Sequence, residues 1–342
     1  MRKLLLTTTA LVAAGAISTA ALADGPSISG NFKFSYDERD SGIAVAGQSG
    51  DRMYTEQNIN LNWVNKTESG LEISMHAALN SEGAGGTEAL NSEEQAIRIR
   101  GGFGTIQLGN DDGAGDQLTR TAHDLFGTPD ALHGDLPAFH RSAGTGNLAD
   151  DNADLNHDID DEANITYILP KMGGLTVGAS YKDAGSGAAA NNDETEFAAR
   201  FEFTAGEVNG SLHYGQNSQD GANVGDTSLE ASSMGIDVSM GNIRAVYANA
   251  QRDVDATIET EITDFGVSYK VSDVLSMAVV MTEVTENTGG ESLDVTSVGA
   301  TYTIASGLTA SLSYHDYDYK EGDSNETADD GSNTTLSIVA SF

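Results

Sequence analysis

Asp150, Asn152 and Asp154 stand at alternate positions, the spacing with which a calcium-binding loop begins. An EF-hand requires glycine at its sixth position, and Leu155 falls there, so that motif is excluded. A looser site built from Asp150, Asp151, Asp154 and Asp158, with Asp160 or Asp161 beside them, keeps the carboxylate oxygens that a hard cation takes. Other chemistry is poorly served. The chain has no cysteine, which removes thiol catalysis and cysteine-based metal centres. It also lacks an H-E-x-x-H zinc motif, a G-x-S-x-G nucleophile elbow and a phosphate-binding P-loop. The seven histidines are scattered, and His76, His213 and His315 each alternate with apolar neighbours, as polar positions on one face of a strand do. No spacing favours a Ser-His hydrolase, and the expectation is a protein that is not an enzyme and requires no cofactor.

Charge and the N-terminus narrow the setting. Arg2 and Lys3 precede an interrupted apolar stretch over residues 4–17, and Ala21-Leu22-Ala23 is an A-x-A cleavage signal. Residues 1–23 therefore read as a cleaved signal peptide; an N-terminal anchor fits less well, because the apolar stretch is short and broken. That segment carries two bases and no acid, so cleavage takes the net charge from −35 to −37. Such acidity excludes nucleic acid as a partner. It also disfavours docking on anionic lipid, while fitting a soluble acidic or salt-adapted protein. The longest mostly apolar run after the signal, residues 274–281, is far shorter than the roughly 20 residues of a spanning helix.

The positioning elements are strands. Residues 24–342 contain no proline-rich or low-complexity linker, and the prediction is one continuous architecture. Ile28, Phe32, Phe34 and Tyr36 share one face while Ser27, Asn31, Lys33 and Ser35 share the other, as a period of two demands. Ile59, Leu61 and Trp63 alternate with asparagines, and Leu71, Ile73, Met75 and Ala77 alternate with Glu72, Ser74 and His76 across a turn at residues 66–70. The same grammar recurs through Phe197, Ala199, Phe201 and Phe203 opposing Glu196, Arg200 and Glu202, and through Leu308, Ala310, Leu312 and Tyr314. With weaker segments near 104–109, 163–169, 242–251 and 275–284, the count is about 16 strands.

A soluble β-sandwich alternates as well. Connection lengths separate the two. Short turns at Gly101-Gly102, Met172-Gly173-Gly174 and Ser306-Gly307 alternate with long polar segments at 37–53, 183–194, 216–227 and 316–333, the asymmetry of a transmembrane barrel. Leu336, Ile338, Ala340 and Phe342 share the apolar face of a last strand, where a terminal ring suits a membrane interface. The predicted class is all-β, a transmembrane antiparallel β-barrel.

With these features assembled, the chain resembles the Gram-negative general diffusion porins, in particular the trimeric outer-membrane porins of alphaproteobacteria, over residues 24–342. The most specific segment runs from Arg100 through Gly101-Gly102-Phe103-Gly104 to Gly109-Asn110, similar to the family's G-x-F-G-x-x-x-x-G hairpin that leads into a long third loop. The resemblance implies a homotrimer in outer-membrane lipid and a constriction loop, here 110–162, folded into the lumen. It also implies that Phe342 is the signal read by the barrel assembly machinery, and it raises the prospect of calcium near the third loop.

By the same resemblance, acids on the loop face bases on the wall. The acidic candidates are Asp111, Asp112, Asp116, Asp124, Asp130 and Asp135. Lys33, Arg98 and Arg100, then Arg200 and Arg244, are the basic candidates on the lumen faces of strands. Arg120, Arg141, His123, His133 and His140 break the loop's acidic pattern. The expected function is a water-filled channel for passive diffusion of ions and small hydrophilic solutes across the outer membrane, weakly cation-selective. The alternative is a non-conducting structural or adhesive barrel with a plugged lumen.

Overall fold

The computed structural model of the 342-residue chain describes residues 22–23, 26–41, 50–83, 91–126, 159, 163–183, 193–220, 228–254, 258–287, 289–320, 322 and 329–342. A two-residue strand, β1 (Leu22–Ala23), pairs with the end of β3. Sixteen strands then follow in chain order: β2 (Ser27–Ser41), β3 (Gly50–Lys66), β4 (Glu72–Gly83), β5 (Asn91–Gly101), β6 (Gly104–Asn110), β7 (Ala163–Ile168), β8 (Leu175–Lys182) and β9 (Asp193–Ala205). The second half comprises β10 (Val208–Asp220), β11 (Leu229–Met240), β12 (Ile243–Val254), β13 (Ile258–Lys270), β14 (Leu275–Glu286), β15 (Ser292–Ala305), β16 (Leu308–Lys320) and β17 (Asp329–Ser341). Each pairs antiparallel with its chain neighbours, and β17 pairs with β2 from Gly331↔Ser41 to Ser341↔Asn31, which closes the barrel. Among the described residues no helix is long and apolar enough to cross a membrane.

Burial is inverted relative to a water-soluble sheet. On β2, Phe32 and Phe34 are 47% and 40% exposed, whereas the interleaved Lys33, Ser35 and Asp37 are at most 5% exposed. The same alternation places Leu212 and Tyr214 outside and Ser211 and His213 inside, and puts Tyr314 outside and His315 inside. An apolar outer face and a polar inner face are what a barrel in lipid requires, since every backbone group is satisfied by a neighbouring strand and only the outward side chains meet hydrocarbon. The inner face is not uniformly polar: Ala248, Ala250, Ile262, Val284, Leu293, Val295, Tyr317 and Tyr319 form a buried apolar cluster across β12 to β16.

The barrel seam ends in a specific contact. Phe342 donates its backbone N–H to Gly30 O at 3.0 Å and accepts from Gly30 N at 3.2 Å, while its ring lies over Gly30, where a Cβ would come 3.1 Å from the ring's Cζ.

The long polar segments assigned from sequence are shorter than expected. Residues 37–39 and 50–53 continue the β2–β3 ladder, residues 40 and 41 pair with β17, and residues 316–320 and 329–333 continue β16 and β17. Beyond the membrane the outward positions need not be apolar: Asp316, Asp318 and Lys320 are exposed outside while Tyr317 and Tyr319 are buried inside, which inverts the alternation by which membrane strands are read. On the same side of the barrel, β12–β13 and β14–β15 are joined by only a few residues, a departure from the uniform series of long loops.

Candidate functional site

The hairpin of β5 and β6 explains the glycines of its motif. Gly104 has φ 109° and Gly109 φ 143°, conformations that a side chain rarely adopts. A Cβ on Gly109 would also stand 2.1 Å from the Gln95 carbonyl oxygen across the pair. The chain then leaves the wall at Asp111, which is 1% exposed. Arg98 of β5 donates from Nη2 to both Asp111 carboxylate oxygens, at 2.9 and 2.7 Å, and from Nε to Gln107 at 2.7 Å. Gln107 and Gln117 each donate to the Asp112 carbonyl at 2.8 Å, and Asn164 of β7 donates to the Asp111 carbonyl. This network fixes the direction in which the segment turns inward.

A short helix, α1 (Ala114–Leu118), follows. Ala114 N–H donates to Ser180 Oγ at 2.7 Å, and Gly115 N–H donates to Glu196 Oε2 at 3.3 Å. The other oxygen of Glu196 accepts from the N–H of Ile159, whose carbonyl in turn accepts from Gly113 N–H at 2.8 Å. One wall carboxylate therefore holds the outgoing chain and a residue of its return. Further on, a 3₁₀ turn over Ala122–Leu125 is closed by Thr121, whose N–H donates to Asp124 Oδ2 at 3.1 Å and whose carbonyl accepts from Asp124 N–H at 3.3 Å. Ala122 N–H donates to Asp264 Oδ2 of β13 at 2.5 Å, Thr282 of β14 donates to Asp264 Oδ1 at 2.9 Å, and His123 Nε2 lies 3.1 Å from that threonine hydroxyl.

Residues 113–126 thus lie along the inner face from β8 to β15, and the wall is carved to receive them. Gly178 faces Ala114 and Leu118, Gly215 faces Thr119, Gly266 faces Leu125 and Ala122, and Gly299 faces Phe126. A Cβ at any of the four would fall within about 3 Å of a loop side chain. Ala122 and Leu125 pack with Val246, Ala278 and Val280, and Phe126 borders both apolar clusters of the wall.

Charge is segregated along this path. Asp112, hydrogen-bonded to Asp116, has its carboxyl pushed up to about 8 by burial and then by the charges of Asp116 and Glu94. These acids sit beside β5 and β6. Arg200 of β9 and Arg244 of β12 lie near Arg120 of the loop, close enough for their charges to bear on one another. Arg244 forms a two-point pair with Asp237 at 2.8 and 3.0 Å and donates to the Asp124 carbonyl at 3.2 Å.

The candidates read from sequence are thus divided. Asp112 and Asp116 form an acidic group; Asp111 belongs to it in position but is paired with Arg98. Asp124 is apart from it, exposed and facing Arg244. Lys33 is buried on the inner face of β2, paired with Glu56 at 3.1 Å. Arg100 shares the inward parity of Arg98 but stands at the short turn, half exposed and 3.3 Å from Glu72, so it does not face the loop. Asp130, Asp135, Arg141, His133, His140 and the calcium candidates Asp150, Asp151, Asp154 and Asp158 lie outside the described residues. The leader, apart from Leu22 and Ala23, does too. Glu196 and Asp264 were missed as loop anchors; the signal was the inward-facing glycines next to them, at positions where the alternation calls for polar side chains.

The structure is similar to a loop-deletion form of OmpT, an outer membrane protein of Vibrio cholerae, at TM-score 0.62 and 14% identity, covering 95% of this chain and 100% of that one. It is similar to a variant of the Rhodopseudomonas blastica porin at TM-score 0.65 and 12% identity, with 93% and 100% covered. An anion-selective porin from Comamonas acidovorans matches at TM-score 0.62 and 13% identity, with 94% and 100% covered. No curated protein sequence matches significantly. The family model described as Gram-negative porin matches residues 7–342. A sequence match of that extent, on a closed sixteen-stranded barrel with lipid-compatible outer and polar inner faces, places the chain in the Gram-negative porin family of outer-membrane β-barrels.

Proposed function

We propose that the barrel is a passive diffusion channel for ions and small hydrophilic solutes, narrowed by the loop segment of residues 111–126. The observation that carries this reading is the seating of that segment against the inner wall through Glu196 and Asp264, over four glycines. A segment held by charge-assisted bonds to rigid strands sets a fixed bore rather than a flexible gate. Acids beside β5 and β6 and bases on β9 and β12 create a transverse field, which orients dipolar solutes as they pass.

Weak cation preference is part of the proposal. It is supported by the net charge of −35 and by Asp116 and Glu94, to which Asp112, its carboxyl pushed up to about 8, adds charge only in alkaline solution, while Arg98 already balances Asp111. The Comamonas porin of the same fold is named anion-selective, so the sign must come from side chains and not from the barrel. A homotrimer, recognition of Phe342 by the assembly machinery, and calcium on Asp150, Asp151, Asp154 and Asp158 complete the reading. Cleavage after residue 23 belongs to it as well.

Planar-bilayer recording of the purified protein tests the channel. Large stepwise conductance is expected, and deletion of residues 111–140 should enlarge it. Persistent silence from correctly folded barrels would instead support a plugged structural or adhesive barrel.

A further inference from the structure

We infer that the inner wall carries an oxyanion-binding cleft, suited to a phosphate-sized group, between the loop and the short-turn mouth. The cleft encloses about 560 Å³ and is lined by Arg200 and Glu202 of β9, Ser211 of β10, Asp237 of β11, Arg244 of β12 and Lys171 of the β7–β8 turn. The barrel register makes this a continuous patch: Glu202 is opposite Ser211, Ser211 opposite Asp237, and Ser239 opposite Arg244.

The patch holds three bases, Lys171, Arg200 and Arg244, against two acids, Glu202 and Asp237. Lys171 bonds Glu202, and Arg244 holds Asp237 by two bonds. Arg200 shares Glu202 only as a loose ion pair, its Nε 3.8 Å from Oε1 and beyond hydrogen-bond distance. That Nε is buried without a hydrogen-bond partner among the described residues, and so is the hydroxyl of Ser211. Directly across from Arg200, His213 is buried with neither ring nitrogen bonded. Buried donors are almost always satisfied, so an unbonded guanidinium N–H and an unbonded hydroxyl on one cleft point to an acceptor. Arg120 and Arg244 add positive potential around Arg200. An oxyanion accepts from several directions at once and gains charge-assisted bonds from a guanidinium. A neutral sugar would satisfy the same donors without that gain.

The inference rests on the channel reading only for its physiological meaning, since a lumen-wall site would then slow or select passing anionic solutes. Its test does not need conduction. Titration of the detergent-solubilised, folded barrel with inorganic phosphate by calorimetry should give saturable binding. Arg200→Gln and Ser211→Ala should each weaken it, the first at least tenfold, while Lys320→Gln, an exposed base on the outer rim, should leave it unchanged. Absence of saturable binding in the parent protein, or equal affinity in Arg200→Gln, would overturn the site. Phosphate binding without conductance would sink the channel and leave the cleft standing; conductance without phosphate binding would do the reverse.

Discussion

Gly266→Val is the substitution that most directly interrogates how the loop is held. A Cβ at Gly266 would stand 2.7 Å from Leu125 Cδ1, 2.9 Å from Val280 Cγ2 and 3.0 Å from Ala122 Cβ. Forcing extra carbons into such a packed contact costs about 1–3 kcal/mol. The wall cannot easily yield, because Gly266 is paired with Val246 on one side and Val280 on the other within continuous ladders. The 3₁₀ turn can yield: it is held by three hydrogen bonds, of which Ala122–Asp264 and Arg244–Asp124 involve a charged partner and are worth about 1.5–3 kcal/mol each, and His123–Thr282 about 0.5–1.5 kcal/mol. A penalty of about 1–3 kcal/mol lowers the seated-to-unseated ratio roughly 5- to 150-fold. Single-channel recording should therefore show a raised or flickering conductance, with barrel folding intact by heat-modifiable gel mobility. Gly102→Ala, where a Cβ meets nothing within 4 Å, is the control. Conductance and open-channel noise identical to the parent in Gly266→Val would refute the idea that this glycine seats the loop.

Arg98→Ala leaves the Asp111 carboxylate buried and unpaired, and breaking such a pair costs about 3–5 kcal/mol, toward the lower end here because Arg98 is itself 28% exposed; a lowered unfolding midpoint or a loosened loop by proteolysis should follow. The raised Asp112 carboxyl binds its proton more tightly when folded than its ordinary value of 3.8 allows, so its contribution to loop seating is full at low pH and declines as pH climbs toward about 8. Above that the loop gains a negative charge, so reversal potentials in a salt gradient should become more cation-selective through pH 8, and Asp112→Asn should flatten the step. Phe342→Ala keeps the two backbone bonds to Gly30 but uncovers that glycine, and the yield of folded barrel in a lipid refolding assay should fall; an unchanged yield would show the ring to be dispensable to closure.

The faces of the strands were legible because each membrane-crossing residue meets either hydrocarbon or the lumen, which writes a period of two into Phe32, Lys33, Phe34 and Ser35. Strand length was not. At Glu38 and Asp40 the side chains are exposed charges, and nothing in such a run distinguishes ladder from loop, although these residues pair with 334 and 332. Within the site, Arg98 and Asp111 were legible as charges of opposite sign but not as one ion pair, since alternation gives direction and not distance. Glu196 looked like any inward acid; its bond to Gly115 depends on where a chain 81 residues away returns. Gly178, Gly215, Gly266 and Gly299 carried the missing information, because a strand gives up packing and order at each glycine unless something must come close.

The overlong strands have a consequence for how an ion experiences the channel. A strand of 13 residues tilted about 45° rises roughly 30 Å and one of 17 about 40 Å, against an apolar band of about 25 Å. The surplus on β3 can therefore raise the mouth as a stiff collar up to about 15 Å beyond the lipid. At physiological salt, potentials decay over roughly 8 Å, so acids on that collar and acids beside the loop act as two resistors in series rather than as one field. In the proposed cation-preferring channel the outer one would enrich cations and fade as salt is added, while the inner one, less screened, would keep its effect.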